Sequence, residues 1–269
     1  MSNVQLVDTH CHLQFDKLAQ NVERVISDAN SAGVTKLICV GTSIADSQEA
    51  IEYAKQFPNI WATVGAHPHD GKDFFDEPKA EEKLKDLLGG PKVVAVGEIG
   101  LDFYKNYSPK TDQEKLLRLQ IELGLPTGLP FIFHVRDAWD DFWRILDSYK
   151  NLHGVVHSFS ASPAELEEAL SRGLYVALNG IMTFTSDKDQ LKAARKVPKD
   201  RLLLETDAPF LAPKPYRGQT CQPKHIRDIA EFLAELRGEN IKDLAKYTTQ
   251  NALDLFGLQG RFLQTEEIL

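Results

Sequence analysis

The sequence predicts an α/β protein that folds as a TIM-type (β/α)8 barrel. Eight short apolar runs alternate along the chain with amphipathic stretches long enough for helices, as in a barrel of repeated strand-helix units. Each run is apolar throughout, as expected for parallel strands that are covered on both faces. Polar side chains end several runs, including the first and the eighth. A closed barrel brings these two strands side by side, whereas an open doubly wound sheet, the alternative fold, does not.

The eight runs predict eight strands. In chain order they cover residues 5–10, 36–41, 60–65, 93–98, 131–134, 155–159, 174–179 and 202–207. Between and after them, apolar residues recur at helical spacing. The predicted helices cover residues 18–32, 44–57, 112–123, 138–149, 163–171, 187–196, 224–236 and 241–256.

The chain is predicted to be a single domain spanning residues 1–269. Its length suits either one α/β barrel or two ordinary domains, but no stretch is rich enough in Gly, Pro or Ser to form a linker. The proline-rich residues 208–223 follow the last predicted strand. We interpret them as an ordered active-site loop.

Composition excludes several classes of protein. Hydrophobic residues make up 42% and charged residues 26% of the chain, and the formal net charge is −8. A broad basic nucleic-acid surface is therefore disfavoured, although a polyanion bound at a local metal site is not. No apolar stretch is long enough to span a membrane, and the first residues do not resemble a secretory signal. The chain has three cysteines and no CxxC motif, which indicates that the protein is located in a reducing cytoplasm. We infer no obligate protein partner from the sequence.

Histidines and carboxylates end five of the apolar runs. His10 and His12 are two positions apart, so on a strand their side chains lie on the same face. Glu98, His134, His157 and Asp207 end the fourth, fifth, sixth and eighth runs. In a barrel these six side chains would converge at the C-terminal mouth, where they could form a two-metal hydrolytic centre.

Taken one at a time, each of these residues could have a structural role instead of binding a metal. A single histidine at a strand end is more often a hydrogen-bonded polar group than a ligand. Glu98 and Asp207 are harder to explain, because a carboxylate after an apolar run must be paired, protonated or metal-bound. Imidazole with carboxylate suits Zn²⁺, Mn²⁺, Co²⁺ or Fe²⁺, whereas Mg²⁺ prefers oxygen ligands. Cys11 lies between the two histidines and points to the opposite face, so we interpret it as a packing residue.

Six motifs give the chain a specific resemblance. They are Asp8-Thr9-His10-Cys11-His12, Gly65-Ala66-His67-Pro68-His69, Gly97-Glu98-Ile99-Gly100-Leu101-Asp102, His134-Val135-Arg136-Asp137-Ala138, His157-Ser158-Phe159-Ser160 and Glu205-Thr206-Asp207-Ala208-Pro209. In this order they resemble the TatD-type metal-dependent deoxyribonucleases of the amidohydrolase superfamily. The resemblance covers almost the whole chain.

The resemblance implies a TIM-like barrel with two divalent metal ions and a DNA substrate. It implies that His10, His12 and Asp207 bind one ion, that His134 and His157 bind the other, and that Glu98 bridges both. Two family motifs differ here: Cys221 occupies the place of a usual Asn, and the usual Cys-Phe-Ser-Gly after the sixth-strand His reads Ser158-Phe159-Ser160-Ala161. Neither change touches a predicted ligand, so they affect the expected substrate preference more than the chemistry.

Three further residues are predicted to bind substrate. His67 follows the third run, Arg136 follows His134 by two positions, and Arg217 lies in the loop after the eighth run, where barrel enzymes often bind phosphate. An arginine fork suits phosphate oxygens, although a surface salt bridge is the alternative. In the loop after the fourth run, Tyr104, Lys105 and Tyr107 could follow a nucleic-acid strand, but an ordinary solvated loop fits this triplet better.

The predicted function is a metal-dependent phosphodiesterase that hydrolyses single-stranded DNA from an end, and RNA remains possible as a substrate. Asp207 is the predicted acceptor of the proton from the attacking water. The resemblance alone indicates DNA, since the ligand set indicates only metal-assisted hydrolysis. An ester or amide hydrolase, such as an aminoacyl-tRNA deacylase, is one alternative. A non-catalytic barrel scaffold is another, but it would not need six converging donors.

Overall fold

Eight parallel strands form one sheet in the order β1 to β8. The structure, a computed structural model, describes residues 4–105 and 107–258. The strands are β1 (Leu6–Cys11), β2 (Val34–Cys39), β3 (Ile60–Val64), β4 (Val93–Asp102), β5 (Phe131–Arg136), β6 (Gly154–Val156), β7 (Tyr175–Leu178) and β8 (Leu202–Leu204). The predicted TIM-type barrel is confirmed. The predicted domain also contains residues 1–3, 106 and 259–269, which lie outside the described residues.

The barrel closes between β1 and the segment that follows β8. Cys11 forms a parallel bridge with Ala208, and the amide of Asp207 donates to the carbonyl oxygen of His10 at 2.9 Å. Lower on the strands, the Thr9 hydroxyl donates to the carbonyl oxygen of Leu204 at 2.9 Å. These contacts bring residues from the two ends of the sequence to the same side of the barrel mouth.

Helices pack outside the strands. They are α1 (Asp16–Ala19), α2 (Val22–Ser31), α3 (Ile44–Gln56), α4 (Gly71–Asp76), α5 (Ala80–Leu88), α6 (Lys110–Gly124), α7 (Trp139–Leu146), α8 (Pro163–Ser171), α9 (Lys188–Lys196), α10 (Ile226–Arg237) and α11 (Ile241–Phe256). Side-chain caps begin several of them. For example, Ser43 accepts from the amide of Asp46 before α3, and Asn240 accepts from the amide of Lys242 before α11.

One helix prediction was wrong, and two helices were not predicted. The predicted helix over 18–32 is divided into α1 and α2, because the backbone of Asn21 leaves the helical region at φ −141° and ψ 35°. The sequence reading also missed α4 and α5. Helix α5 had a readable signal, since its buried residues Ala80, Leu84 and Leu88 recur every four positions.

Strand β4 was predicted to end at Glu98, but it continues to Asp102. Ile99 and Leu101 are fully buried and pair with β5, so burial continues past the carboxylate. Gly100 allows this close pairing, because a Cβ atom there would lie 1.9 Å from the carbonyl oxygen of His134. Gly97 and Gly100 therefore lie within the strand and do not end it.

Two apolar clusters form the core. The larger lies between the strands and the surrounding helices. The smaller contains strand residues such as Ile38, Ile132 and Leu203, which pack against the end of α11, including Phe256. Because side chains from strands around the sheet meet only inside a barrel, this cluster fills the interior away from the mouth. No helix within the described residues is long and apolar enough to cross a membrane.

Candidate metal centre

The six predicted ligands lie together at the mouth of the barrel. His10 is the last residue but one of β1, and His12 follows the strand; Glu98 is on β4, His134 is on β5, and His157 follows β6. Asp207 comes three residues after β8 and has a φ of 58°, a left-handed conformation that aspartate tolerates better than most residues. All six side chains are largely buried, although the barrel mouth is open above them.

The two oxygens of Glu98 face two different groups of donors. Its Oε2 atom lies 3.4 Å from His10 Nε2 and 3.9 Å from His12 Nε2. Its Oε1 atom lies 2.8 Å from both His134 Nδ1 and His157 Nε2. Asp207 belongs to the first group, because its Oδ1 atom lies 3.7 Å from His10 Nε2 and 3.5 Å from His12 Nε2.

Hydrogen bonds on the far side of two rings fix which nitrogen faces the centre. His12 Nδ1 donates to the carbonyl oxygen of Val40 at 2.9 Å, which leaves Nε2 for the centre. His134 is reversed, because its Nε2 atom lies 3.3 Å from Asp102 Oδ2 while Nδ1 faces Glu98. Such partners behind a ligating histidine set its tautomer and its orientation.

The residues fit a metal. Both ring nitrogens of His10 are buried without a hydrogen-bond partner among residues 4–105 and 107–258. Burial without a partner is costly for a polar group, and a ligated cation removes that cost. Donor atoms of His10, His12 and Glu98 lie within 4.8 Å of one another, and so do those of His67, Glu98 and His134.

The charges of the centre favour ionised carboxylates. Burial raises the pKa of Glu98, but the nearby His157 and His67 outweigh it and hold the pKa well below its usual range. The pKa of Asp207 is likewise lowered, because the hydrogen bond from His12 opposes the effect of burial. The two carboxylates are therefore available as anionic ligands near neutral pH.

A cavity of about 600 Å³ opens above these residues. His67 and Arg136, two of the three predicted substrate contacts, line it. His67 Nε2 lies 3.5 Å from Glu98 Oε1, and burial lowers the pKa of His67 to about 4, so its ring is neutral at pH 7. Arg217 is not among the lining residues; its guanidinium lies 3.7 Å from the ring centre of Phe184.

The sequence reading missed two buried carboxylates near the centre. Asp102 accepts from His69 Nε2 at 2.9 Å and contacts His134. Its signal was available, since residues four apart on a strand share a face and Asp102 is four after Glu98. Asp8 accepts from the Thr206 amide at 2.9 Å, and burial raises its pKa to about 8. This bond ties β1 to the segment that carries Asp207.

A further carboxylate, Glu205, lies behind the centre. Its Oε1 atom accepts from the amide of Ser158 at 2.6 Å and lies 3.5 Å from His157 Nδ1. Asn179 also donates to Glu205 at 3.2 Å. Glu205 therefore contacts both the backbone and the ring at the end of β6.

A parallel barrel with histidines and carboxylates clustered at its mouth is the arrangement of metal-dependent hydrolases. Comparison with known proteins identifies the family. The model of the TatD related DNase family matches residues 7–257. The chain therefore belongs to the TatD family, and it is a metal-dependent hydrolase.

Relatives along the whole chain agree with this assignment. An uncharacterized metal-dependent hydrolase of Bacillus subtilis, YabD, is 36% identical over 93% of this chain and 98% of its own length. The 3'-5' ssDNA/RNA exonuclease TatD of Salmonella typhimurium is 33% identical over 93% of this chain and 98% of its own. The crystal structure of YJJV, a TatD homolog from Escherichia coli, superposes with a TM-score of 0.88 at 30% identity, over 95% of this chain and 99% of that one.

Proposed function

We propose that the protein is a binuclear metal-dependent exonuclease that degrades single-stranded DNA or RNA from the 3' end. The observation that carries the proposal is the division of donors around Glu98, whose Oε2 and Oε1 atoms face different histidine pairs. A carboxylate in this position can bridge two ions. Similarity to an enzyme named as a 3'-5' ssDNA/RNA exonuclease supports the substrate and the polarity.

The donors divide into two proposed sites. His10, His12 and Asp207 would hold the first ion, His134 and His157 would hold the second, and Glu98 would be shared between them. Bound divalent ions would supply Lewis acidity and charge neutralisation at the phosphate, and Zn²⁺ or Mn²⁺ suits the mixed donors better than Mg²⁺.

The chain's own groups handle the proton and the phosphate. Asp207 is ionised and lies at the open side of the cluster, so its carboxylate can accept a proton from the attacking water. The ring of His67 accepts a hydrogen bond at Nδ1 from the amide of His69 at 3.1 Å, which places its proton on Nε2. The neutral ring therefore carries its N–H on Nε2, which lies 3.5 Å from Glu98 Oε1 and can donate to a phosphate oxygen bound beside that carboxylate.

Two arginines are the proposed phosphate contacts. The Arg136 guanidinium lies 3.9 Å from the ring centre of Tyr104, and Arg136 lines the cavity, so it can bind a phosphate beside the cleaved bond. Arg217 contacts a phosphate outside the cavity, on the side of Phe184.

The proposal is tested on purified protein reloaded with Zn²⁺ or Mn²⁺. Elemental analysis should give two ions per chain, and 5'-labelled single strands of DNA and RNA should shorten stepwise from the 3' end. Duplex DNA, circular single strands and an aminoacyl ester of tRNA are the comparison substrates. Faster turnover of the ester than of any strand, or cleavage of circles, would refute the exonuclease. The Glu98→Gln variant should lose both the second ion and activity, whereas Asp137→Asn, an exposed carboxylate near the mouth, should keep both.

A further inference from the structure

Large aromatic side chains that are exposed within the described residues surround the cavity. They are Tyr104, Tyr107 and Phe210, whose exposed fractions are 58%, 67% and 48%. Phe210 lines the cavity itself, whereas Tyr104 stacks on Arg136 and Tyr107 packs edge-on against His69 at 4.8 Å. Exposed apolar rings gathered at one site indicate a binding surface.

The rings divide into two surfaces of different chemistry. Phe15 and Phe210 form the phenyl wall: their ring centres are 6.0 Å apart, and Phe15 stacks on the ligand His12 at 4.6 Å. Tyr104, Lys105 and Arg136 form the cationic wall, in which both cations lie over the Tyr104 ring. The metal donors lie between the phenyl wall on the β1 and β8 side and the cationic wall on the β4 and β5 side.

Charge is distributed unequally between the walls. Among the described residues that line the cavity, Lys105 and Arg136 are the only lysine and the only arginine. Both side chains are exposed, and their cationic groups lie 5.7 Å and 3.9 Å from the centre of the Tyr104 ring, so both can neutralise phosphate. Phe15 and Phe210 carry no charge, and the nearby loop residue Arg217 contacts Phe184.

We propose that the terminal nucleoside of the substrate stacks on Phe210 while the rest of the strand runs along the cationic wall. This inference rests on the proposed exonuclease function and states how the strand end is recognised. The body of a strand carries one phosphate per nucleotide and needs cations. The end nucleoside, beyond the cleaved phosphate, adds only a sugar and a base. An exposed phenyl ring suits a base of any sequence, because every base has a face that can stack.

The position of Phe210 in the chain allows it to bind the terminal nucleoside of the substrate strand. It follows Asp207 by three residues, and its amide donates to the Asp207 carbonyl oxygen at 2.8 Å. A base on Phe210 is therefore held at a fixed offset from the carboxylate proposed to accept the proton. Productive binding would then require an end nucleoside on the phenyl wall, which explains attack from an end.

The experiment compares two substrates within each enzyme, so that changes in folding or metal content cancel. One substrate is a single-stranded oligonucleotide with a natural base at the attacked end. The other carries an abasic sugar there and is otherwise identical. A third, with the abasic sugar three nucleotides inside, measures stacking away from the end. The enzymes are the wild type, Phe210→Ala, Phe210→Trp and the matched control Tyr107→Ala, which removes an exposed ring outside both walls.

The wild type should hydrolyse the natural end with a kcat/KM about 5- to 150-fold higher than the abasic end, the range given by one base-aromatic stack. Phe210→Ala should reduce this ratio to within about twofold of one, as expected when a single stack is lost. Phe210→Trp and Tyr107→Ala should retain the ratio. For removal of the first nucleotide, the ratio of kcat/KM between the fully natural and the internal abasic substrates should be the same in all four enzymes.

Two results would overturn the inference in distinguishable ways. If the wild type degrades strands but Phe210→Ala keeps the full preference for a natural end, the end is read elsewhere and the exonuclease proposal stands. If the reloaded wild type degrades no strand at all, the proposed function itself fails, and this inference fails with it.

Discussion

His134 turns its Nδ1 atom towards Glu98 at 2.8 Å because its Nε2 atom lies 3.3 Å from the carboxylate of Asp102. Asp102 is buried and also accepts from His69 and from the amides of Tyr104 and Lys105. These bonds and the nearby histidines hold the pKa of Asp102 well below its usual range despite burial. A permanently ionised carboxylate therefore sets the ring orientation of a proposed ligand from behind.

Replacing Asp102 should weaken metal binding without removing any ligand. We expect Asp102→Ala to lower the affinity for Zn²⁺ or Mn²⁺ about 10- to 100-fold, the usual effect of losing a carboxylate behind a ligating histidine. Asp102→Asn should lower the metal affinity by a smaller factor, because an amide oxygen can still accept a hydrogen bond from His134. Isothermal titration of the chelated protein measures both affinities. Asp137→Asn, which removes an exposed carboxylate, is the control, and an Asp102→Ala protein with wild-type affinity would contradict the positioning role.

Removing the metal should lower the stability of the folded protein, and this effect should depend on Glu98 as a ligand. A ligand at a hundred times its Kd stabilises the folded state by about 2.7 kcal/mol, which for a chain of this size corresponds to about 5–11 °C in Tm at about 2–4 °C per kcal/mol. We expect a rise of this order when Zn²⁺ is added back to chelated wild-type protein. Glu98→Gln should show a clearly smaller rise in calorimetry, since its amide cannot bridge two ions as an anion. Equal rises in both proteins would count against Glu98 as a shared ligand.

The sequence located most of the centre because its chemistry is unusual for apolar strand ends. His10, Glu98 and Asp207 were recognisable from charge next to a buried run, and the barrel followed from their distribution over first and last strands. Asp102 was missed because Gly97 and Gly100 look like strand breakers, although they permit close pairing with β5. The phenyl wall could not be predicted, since nothing in the sequence shows that Phe15 and Phe210 meet.

Stability should fall on acidification through His225, a residue outside the metal centre. His225 is 5% exposed, stacks on Tyr216 at 4.4 Å, and accepts from the amide of Gln222 at Nδ1. Burial lowers its pKa from 6.5 to about 4. The unfolded state therefore binds a proton that the folded state does not, and the stability present above pH 6.5 is lost as pH falls towards 4.

Urea unfolding of chelated protein at pH 7.5, 6.0 and 5.0 measures this loss. His225→Asn keeps an acceptor near the Gln222 amide but cannot titrate, so its free energy of unfolding should fall less between pH 7.5 and 5.0 than that of the wild type. His153→Asn, at an exposed histidine, controls for the removal of an imidazole. Parallel pH profiles for the wild type and His225→Asn would show that the loss arises elsewhere.

Arg136 should contribute more to substrate binding than Arg217. Arg136 lines the cavity and is held against Tyr104, whereas Arg217 lies against Phe184 outside the lining residues. A hydrogen bond to a charged group is worth about 1.5–3 kcal/mol, so Arg136→Ala should lower kcat/KM on a single strand by about 10- to 150-fold. Arg217→Ala should raise KM by a smaller factor, because it meets a phosphate away from the cleaved bond.

Measuring affinity for the same oligonucleotide over a series of salt concentrations distinguishes binding through a few named cations from attraction spread over the whole protein surface. With Lys105 and Arg136 in the cavity and Arg217 outside it as three phosphate contacts, and about −0.7 per phosphate for single strands, the slope of log affinity against log salt should be about −2.1. Arg136→Ala should bring it to about −1.4, since one phosphate contact is lost. The net charge of −8 leaves little attraction from the remaining surface. A much steeper slope, or an Arg136→Ala enzyme with unchanged kcat/KM and a strongly impaired Arg217→Ala enzyme, would instead locate the phosphate grip in the loop after β8.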